Sequence, residues 1–531
     1  MVPHGIEKIE YEKQGVGFQH SFMRDQWMQE HNIPVAEHFI NQFLLNETPE
    51  GFLLFDGFPA NTEILSSWPA KENKSTRHAG IMMKKLLLLK PGEIKSVTIS
   101  RDVSPKDGKP RKSELLQFDA AKVLHENEIL YSRIPKLPKN KVLSQISHRD
   151  LTGLYQSAFT LMRQCMMPAE GQCGYNYYVF SREPKWGWGY GGQVFHESLA
   201  MLAYVYMDPQ GAMNSQRVFM ERQQSDGYIN YRTGPYLNET IETQGLKTSS
   251  APWFSYTNYE IYKITKDKKF LLEAYESGRK LYDWFVRNRD KDEDGLFEWG
   301  ANATLECVRD GLVAVWDKVS KPENLEGPDL NSMMVKEAMS LAHMAKELKM
   351  DSDSRRYFEL AKKTARKINQ QLWDQNTMFY YNTLLSTNSF TFLETDDLKI
   401  KEITGFLPLW ANVCSKEQAD QILRSLYNPE EFWRPYGVPT LSAKDNYYNP
   451  MGYWNGPVWI QWQYLLFRGL KDYGYDRLAN QLVSRVADQM IWHLKNDHTF
   501  WEFYSPDDRQ AGWNRTYIWA GIIARMIMET R

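Results

Sequence analysis

The sequence predicts a mainly α-helical protein, with twelve helices whose number and connections fit six hairpins closed into a ring, behind a smaller β-rich N-terminal domain. Three observations carry this. Residues up to about 110 hold short apolar or β-rich runs broken by Pro and Gly. Beyond about 145 the apolar spacing is helical almost throughout, and the helical segments are joined by alternately short and long connections, as expected of neighbouring antiparallel helices.

Taken in order, GFLLFDGF (51–58), AGIMMKKLLLLK (79–90) and IKSVTISRD (94–102) read as strands of packed antiparallel sheet, with turns such as Lys90-Pro91-Gly92 between them. Residues 1–110 are therefore expected to form a β-sandwich-like domain, either reduced or lacking part of a full sandwich. From Ser113 to Ser132 the spacing turns helical, and IPKLPKNK (134–141) is Pro-bearing, so 111–145 reads as a helical linker and 146–531 as the helical ring. Helices are expected near 148–167, 196–208, 209–224, 250–266, 268–288, 329–349, 353–374, 403–412, 415–427, 455–473, 475–496 and 514–530. Ser415-Lys-Glu-Gln418 has the spacing of a capping box, Asp351 to Asp353 offer N-cap carboxylates, and Gly474 separates two helices.

Composition narrows the function. With 64 Lys+Arg against 66 Asp+Glu the net charge is -2, and no block of like charges occurs, which argues against nucleic acid or an anionic membrane as main partner. No apolar run reaches transmembrane length and the first thirty residues lack a signal-peptide core, so a soluble chain is expected, cytoplasmic or periplasmic. The four cysteines contain no CxxC pair and read as ordinary core or loop thiols, so no cofactor is required by sequence. The aromatic content is high, with 18 Trp, 30 Tyr and 25 Phe. Rings that stack on sugar faces, mixed with carboxylates that bind hydroxyls, are what a carbohydrate cleft needs; a large aromatic core would show the same composition.

Two carboxylates stand out by their neighbours. Loop 289–328 contains E-C-V-R-D-G (306–311), and F-W-E-F-Y-S-P (500–506) lies between the last two helices. Among apolar neighbours, desolvation raises a carboxyl pKa, and an Arg such as Arg309 offsets it. Glycoside hydrolysis uses two such groups, one to protonate the leaving oxygen and one to activate water or attack the sugar. The other long connections, 168–195, 225–249 and 428–454, are rich in Gly, Pro, Trp, Tyr and charge, and loops of this length are usually functional.

The order of several segments resembles glycoside hydrolase family 63, which includes processing α-glucosidases and mannosylglycerate hydrolases. The segments are S-A-P-W (250–253), R-D-K-D-E-D-G-L-F-E-W (289–299), E-C-V-R-D (306–310), D-L-N-S (329–332), Y-G-V-P (436–439), N-G-P-V-W (455–459), G-L-K-D-Y-G-Y (469–475) and F-W-E-F-Y-S-P. The resemblance covers roughly 150–531 and implies an (α/α)6 toroid, the six-hairpin glycosidase fold, so closure of the ring rests on it as well as on helix number. It further implies an inverting hydrolase of α-glucosides or α-mannosides, with Asp310 as general acid and Glu502 as general base. Glu306, four residues before Asp310, is placed to bind sugar or orient the acid, or else to pair with Arg309 or Arg515.

One departure bears on the substrate. Family members carry W-D-x-x-F-H before the second helix, the Asp gripping the terminal sugar, whereas this chain reads W-G-Y-G-G-Q-V-F-H-E (188–197). Gln193 or Glu197 is then the expected replacement. Trp188, His196, Trp253, Trp316, Trp459 and Trp501 are candidate sugar contacts. The string D-K-D-E-D-G (290–295) copies half an EF-hand loop but has Ala301 where the closing Glu would stand. Some family relatives hold calcium in the equivalent loop, so Asp290, Asp292 and Asp294 are either calcium ligands or an acidic turn. Two competing functions remain at this level: a polysaccharide lyase or epimerase on the same toroid, and a catalytically inactive carbohydrate-binding protein.

Overall fold

The computed structural model describes residues 3–13, 15–22, 38–56, 79–105, 119–137, 143–183, 193–235, 237–243, 245–300 and 324–530. The chain divides into two compact units, Met1–Tyr131 and Ser132–Arg531.

In the first unit, β1 (Pro3–Glu12), β2 (Gly15–Phe22), β3 (His38–Leu45) and β6 (Ile99–Pro105) form one antiparallel sheet in the order β1-β2-β3-β6. β4 (Gly51–Asp56) and β5 (Ala79–Lys84) pair separately, Leu53 opposite Met82. Val16, Leu44 and Leu45 are buried. The Arg101 Nε donates to Asn41 Oδ1 at 2.9 Å across β3 and β6, pairing two polar groups that the sheet partly covers. The leucine run departs from the strand expected over 79–90. The strand stops at Lys84, and Leu86, Leu88 and Leu89 are exposed. An unbroken apolar run carries no period of two, so it does not by itself say which face is in or where pairing stops. The helix α1 (Ala120–Ser132) runs across the division between the units.

The second unit is a closed ring. Among its described residues, six outer helices, α2 (His148–Cys165), α4 (Pro209–Glu221), α6 (Lys268–Asn288), α8 (Asp351–Lys367), α10 (Lys416–Leu426) and α12 (Asp476–Asn496), alternate along the chain with six inner ones. The inner set is α3 (Met201–Tyr204, entered by a 3-10 turn Phe195–Ala200), α5 (Phe254–Thr265), α7 (Pro328–Glu347), α9 (Leu407–Trp410, entered by Ile403–Phe406), α11 (Ile460–Asp472) and α13 (Ile523–Glu529, entered by Ile518–Ile522). Each inner helix packs on the next, α3 on α5, α5 on α7, α7 on α9, α9 on α11 and α11 on α13, and α13 returns to α3. Six hairpins in a closed ring make an (α/α)6 toroid.

Burial pattern explains which helix goes where. Residues Ile460–Phe467 of α11 are all buried, Gln461 and Gln463 included, so this helix is covered on every side and belongs inside. In α8 only Ser354, Tyr357, Ala361 and Thr364 are buried, a single stripe at helical spacing that suits an outer position. Close approach of inner elements is made possible at Gly469, where a Cβ would lie 2.7 Å from the Trp410 backbone nitrogen. Side chains cap four of the six outer helices: Ser147 accepts from the Asp150 amide, Asp208 from Gly211, Asp267 from Phe270, and Ser415 forms the full box with Gln418. At α8 the expected cap is displaced. Met350 holds the N-cap position, and Asp351 and Asp353 sit in the first turn, where their charge faces the positive helix end. The Asp353 carboxylate instead accepts from Tyr275 at 2.6 Å. The helix expected from 514 starts only at Ile518, because Ala511–Tyr517 is strand.

The connections from inner to outer helices are short, for example Val205–Asp208 and Lys266–Asp267, so successive helices must run antiparallel. All the long connections therefore precede inner helices and lie at one face of the ring.

Candidate active site

Glu502 stands at this face. It lies on β8 (Trp501–Tyr504), which pairs with β9 (Ala511–Tyr517), which in turn pairs with β7 (Ser181–Glu183). The register slips between Trp501 and Phe503, a bulge of the kind that re-aims a side chain. β9 runs straight into the 3-10 turn of the sixth inner helix. Val458, just before α11, exchanges backbone hydrogen bonds with Tyr504 at 2.7 and 3.0 Å, fixing the strand to the fifth.

The carboxylate of Glu502 has no exposed surface. Tyr453 donates its hydroxyl to Oε1 at 2.6 Å, and Asn514 donates its backbone N–H (3.1 Å) and side-chain amide (2.6 Å) to Oε2. The Trp519 indole donates to the Glu502 carbonyl at 2.9 Å. Three donors on a buried carboxylate fix its orientation and offset its desolvation. Around them stands an aromatic wall: Trp454 and Trp459 stack with centroids 3.6 Å apart, Tyr453 meets Trp459 edge-on, and Trp519 contacts Trp459 and Tyr517.

Glu197 is the second buried carboxyl of this region, fully covered in the turn that opens α3. Tyr517 donates to its Oε1 at 2.8 Å. Burial pushes the Glu197 carboxyl well above the usual range, the negative charge of Glu502 adds to that, and Tyr517 and the buried Arg232 act against it. Tyr453 and Tyr517 are likewise held far above the ordinary phenol range by burial, with both carboxylates contributing. Each therefore remains a hydroxyl donor at any ordinary pH.

Of the residues singled out by sequence, the structure brings Glu197, Trp459 and Glu502 into one constellation. Trp253 stands at the N-cap position of α5 without a side-chain cap bond, is fully buried and meets Trp462 edge-on, 6.1 Å between centroids. Trp501 turns to the other side of its strand, donating to Asp497 at 2.9 Å and lying under the Arg515 guanidinium. The backbones of Gln193 and His196 fall in the short strand and 3-10 turn that enter α3, and their side chains lie outside the described residues. Trp188, Glu306, Asp310 and Trp316 also lie outside them. Sequence reasoning missed Tyr453, Asn514, Tyr517 and Trp519. Tyr453 directly precedes the Trp-Asn-Gly-Pro segment, a signal of a kind; Asn514 carries none.

The acidic loop after α6 forms a separate cluster. Oxygens of Asp290, Asp292 and Asp294 lie within 4.8 Å of one another. Each carboxylate accepts a loop backbone N–H, from Gly295, Asp294 and Leu296 respectively, and Asp294 also meets Lys367 at 3.3 Å and Gln371 at 3.1 Å. Beneath them Glu298 and Glu326 face each other across a β-bridge, both fully buried. Among the described residues, Glu298 Oε2 and Glu326 Oε1 have no hydrogen-bond partner. Burial pushes Glu298 up to about 7 and Glu326 up to about 8. Carboxyl groups gathered in this way, with two unsatisfied buried oxygens among them, fit a hard, oxygen-loving cation.

A closed ring of six hairpins with a buried carboxylate and an aromatic wall at its loop face defines a six-hairpin glycosidase scaffold. The chain belongs to the mannosylglycerate hydrolase MGH1-like glycoside hydrolase family, whose model matches residues 198–520, a family 63-like group. Over 290 residues it is 26% identical to the mannosylglycerate hydrolase of Rubrobacter radiotolerans, covering 52% of this chain and 61% of that one. An uncharacterized protein of Borreliella burgdorferi is 24% identical over 302 residues, covering 55% of this chain and 58% of that one. The chain thus spans about three fifths of these relatives' length. A crystal structure of the GH63 mannosylglycerate hydrolase of Thermus thermophilus with glucose superposes at TM-score 0.56 and 17% identity, over 71% of this chain and 100% of that one, a likeness of fold.

Proposed function

We propose that the protein is an inverting glycoside hydrolase acting on an α-mannoside or α-glucoside, with Glu502 as general base and Asp310 as general acid. The observation that carries this is the buried Glu502 carboxylate, held by Tyr453 and Asn514 inside an aromatic wall at the loop face of the ring. Fixed hydrogen bonds keep such a carboxylate aimed at one water, and exclusion of bulk solvent strengthens every charge interaction around it. In an inverting enzyme the acid stands roughly 6.5–9.5 Å across the sugar from the base. The family and its mannosylglycerate hydrolase members put a mannoside of a small hydroxy acid first among the substrates. Glu197, beside Glu502, takes the sugar-gripping role that family members give to an Asp absent from 188–197.

The loop Asp290, Asp292, Asp294, with Glu298 and Glu326 behind it, would hold a calcium ion that braces the face of the ring and takes no part in the chemistry. The test of the activity is turnover on mannosylglycerate and on α-mannosides and α-glucosides, with the anomer of the released sugar followed by NMR. Release of the β-anomer from an α-glycoside supports inversion; the α-anomer, or an unsaturated uronide, refutes it.

A further inference from the structure

A cavity of about 770 Å³ opens on the outside of the ring, between the outer face of α12 and the segment 427–435. Its volume lies within the range of small-molecule sites. Arg477, Asn480, Ser484 and Arg485 project into it from α12, and Tyr427 and Trp433 line the opposite wall. Positions 477, 480, 484 and 485 form one helical stripe, so the polar groups are presented side by side over about 12 Å.

The charge of this cavity is not balanced. Asp488, also in the lining, is engaged by the Arg509 guanidinium at 2.6 Å. Among the described residues no carboxylate pairs with the half-buried Arg485 or the exposed Arg477, unlike Arg217, which meets Glu273, and Arg434, which meets Asp507. Arg485 is half-buried and aimed: its guanidinium lies 4.9 Å over the Trp433 ring and donates one N–H to the Arg434 carbonyl. The remaining N–H groups of the fork are available for an anion, which a planar guanidinium binds through two parallel hydrogen bonds. Next to it the Tyr427 ring is 54% exposed, tilted against Trp433 at 5.5 Å, and offers a free face. An exposed phenol ring beside amide and hydroxyl groups suits the apolar face and hydroxyls of a sugar, while two uncompensated arginines select a negative charge.

We propose that this cavity is a second carbohydrate site, separate from the cleft around Glu502, that binds a small sugar carrying a carboxylate or a phosphate. Arg485 and Arg477 hold the anion, Ser484 binds a hydroxyl, and Tyr427 stacks on the ring.

Calorimetric titration of the full chain with D-glucuronate, mannose 6-phosphate, mannose and inorganic phosphate tests this without reference to turnover, so its failure is distinct from failure of the hydrolase reading. At least one charged sugar should bind, with mannose about ten-fold weaker or more, since an anion on a paired guanidinium fork contributes at least that factor. Whichever charged sugar binds tells a carboxylate site from a phosphate site. Arg485→Gln should weaken that binding by about ten-fold or more. Arg477→Gln, at an exposed position, should act in the same direction with the thermal midpoint unchanged, which keeps the test valid if the Arg485 variant folds poorly. Binding of neither charged sugar, equal binding of mannose, phosphate alone as tight as mannose 6-phosphate, or wild-type binding by both variants would each overturn the proposal.

Discussion

Tyr453 gives its phenolic hydrogen to Glu502 Oε1 at 2.6 Å, and the two residues come from different connections of the ring, one before α11 and one before α13. The proposed base is thus aimed by its neighbour in the ring and not by its own strand alone. A hydrogen bond to a charged group contributes about 1.5–3 kcal/mol. Tyr453→Phe keeps the ring packing and removes only the donor, so kcat should fall roughly ten- to hundred-fold with little change in thermal midpoint. An unchanged kcat would reduce Tyr453 to a packing residue.

Trp459 is buried under Trp454 and against Trp519, with its indole N–H given to the Tyr453 carbonyl at 2.8 Å. Its side chain supports Tyr453, which in turn holds Glu502. Trp459→Ala should therefore cost about 3–5 kcal/mol of stability, as large-to-small changes of buried aromatics do. Chemical denaturation measures this directly. A variant of unchanged stability with a raised KM would mean instead that Trp459 meets the sugar.

The acidic loop predicts a stabilising ion. At calcium concentrations a hundred-fold above its Kd, stability should rise by about 2.7 kcal/mol, read as a higher thermal midpoint that a chelator reverses. Asp290→Ala and Asp294→Ala should each abolish the calcium response. If the midpoint of the native chain ignores both calcium and chelator, the loop is an acidic turn held by Lys367 and its own backbone.

Glu337 supplies a pH dependence of its own. From α7 it accepts the backbone N–H groups of Ser255 (2.8 Å) and Tyr256 (2.9 Å), serving as the N-terminal cap that α5 lacks in its own sequence. Burial pushes it up to about 7 despite those donors. A carboxyl whose folded value exceeds its unfolded one contributes stability that is complete below about 4.5 and lost as pH rises through about 7. Relative to Glu337→Gln, which does not titrate, the native chain should lose on the order of 3 kcal/mol between those limits. Parallel stability curves for the two proteins from about pH 4.5 to about pH 8 would contradict this.

Much of the ring was legible because its signals are local. The Ser415 to Gln418 box, Gly474 with φ 79° between α11 and α12, and the burial stripes at helical spacing all depend on residues within a turn or two of each other. The site was legible only in part. Glu502 is marked by its aromatic neighbours in the sequence, but its donors Tyr453 and Asn514 lie 49 and 12 residues away, and no period links them. The same limit hid the strand character of Asn514–Tyr517, where pairing with Trp501–Tyr504 and Ser181–Glu183 outweighs local helical spacing. Trp253 reads as a sugar platform in the sequence because composition cannot tell a Trp buried against Trp462 from one turned toward a ligand.

The proposed acid and the proposed base are separable by substitution even though both are carboxyls. Protonation of the leaving oxygen matters only while the leaving group is poor, so Asp310→Asn should lose most activity on an alkyl glycoside and retain far more on an activated aryl glycoside. Activation of water matters for every leaving group. Glu502→Gln should therefore lose activity on both substrates; its single carbonyl oxygen accepts from Tyr453 or from Asn514 but not from both, so its thermal midpoint is measured beside its activity. Small nucleophilic anions such as azide, which need no general base, should restore turnover to Glu502→Gln with aryl substrates and leave Asp310→Asn on alkyl substrates unrescued. A variant at Glu502 that keeps its alkyl-glycoside activity, or an Asp310 variant indifferent to the leaving group, would move the corresponding role to another carboxyl, and the buried Glu197 beside Glu502 is then the first to substitute.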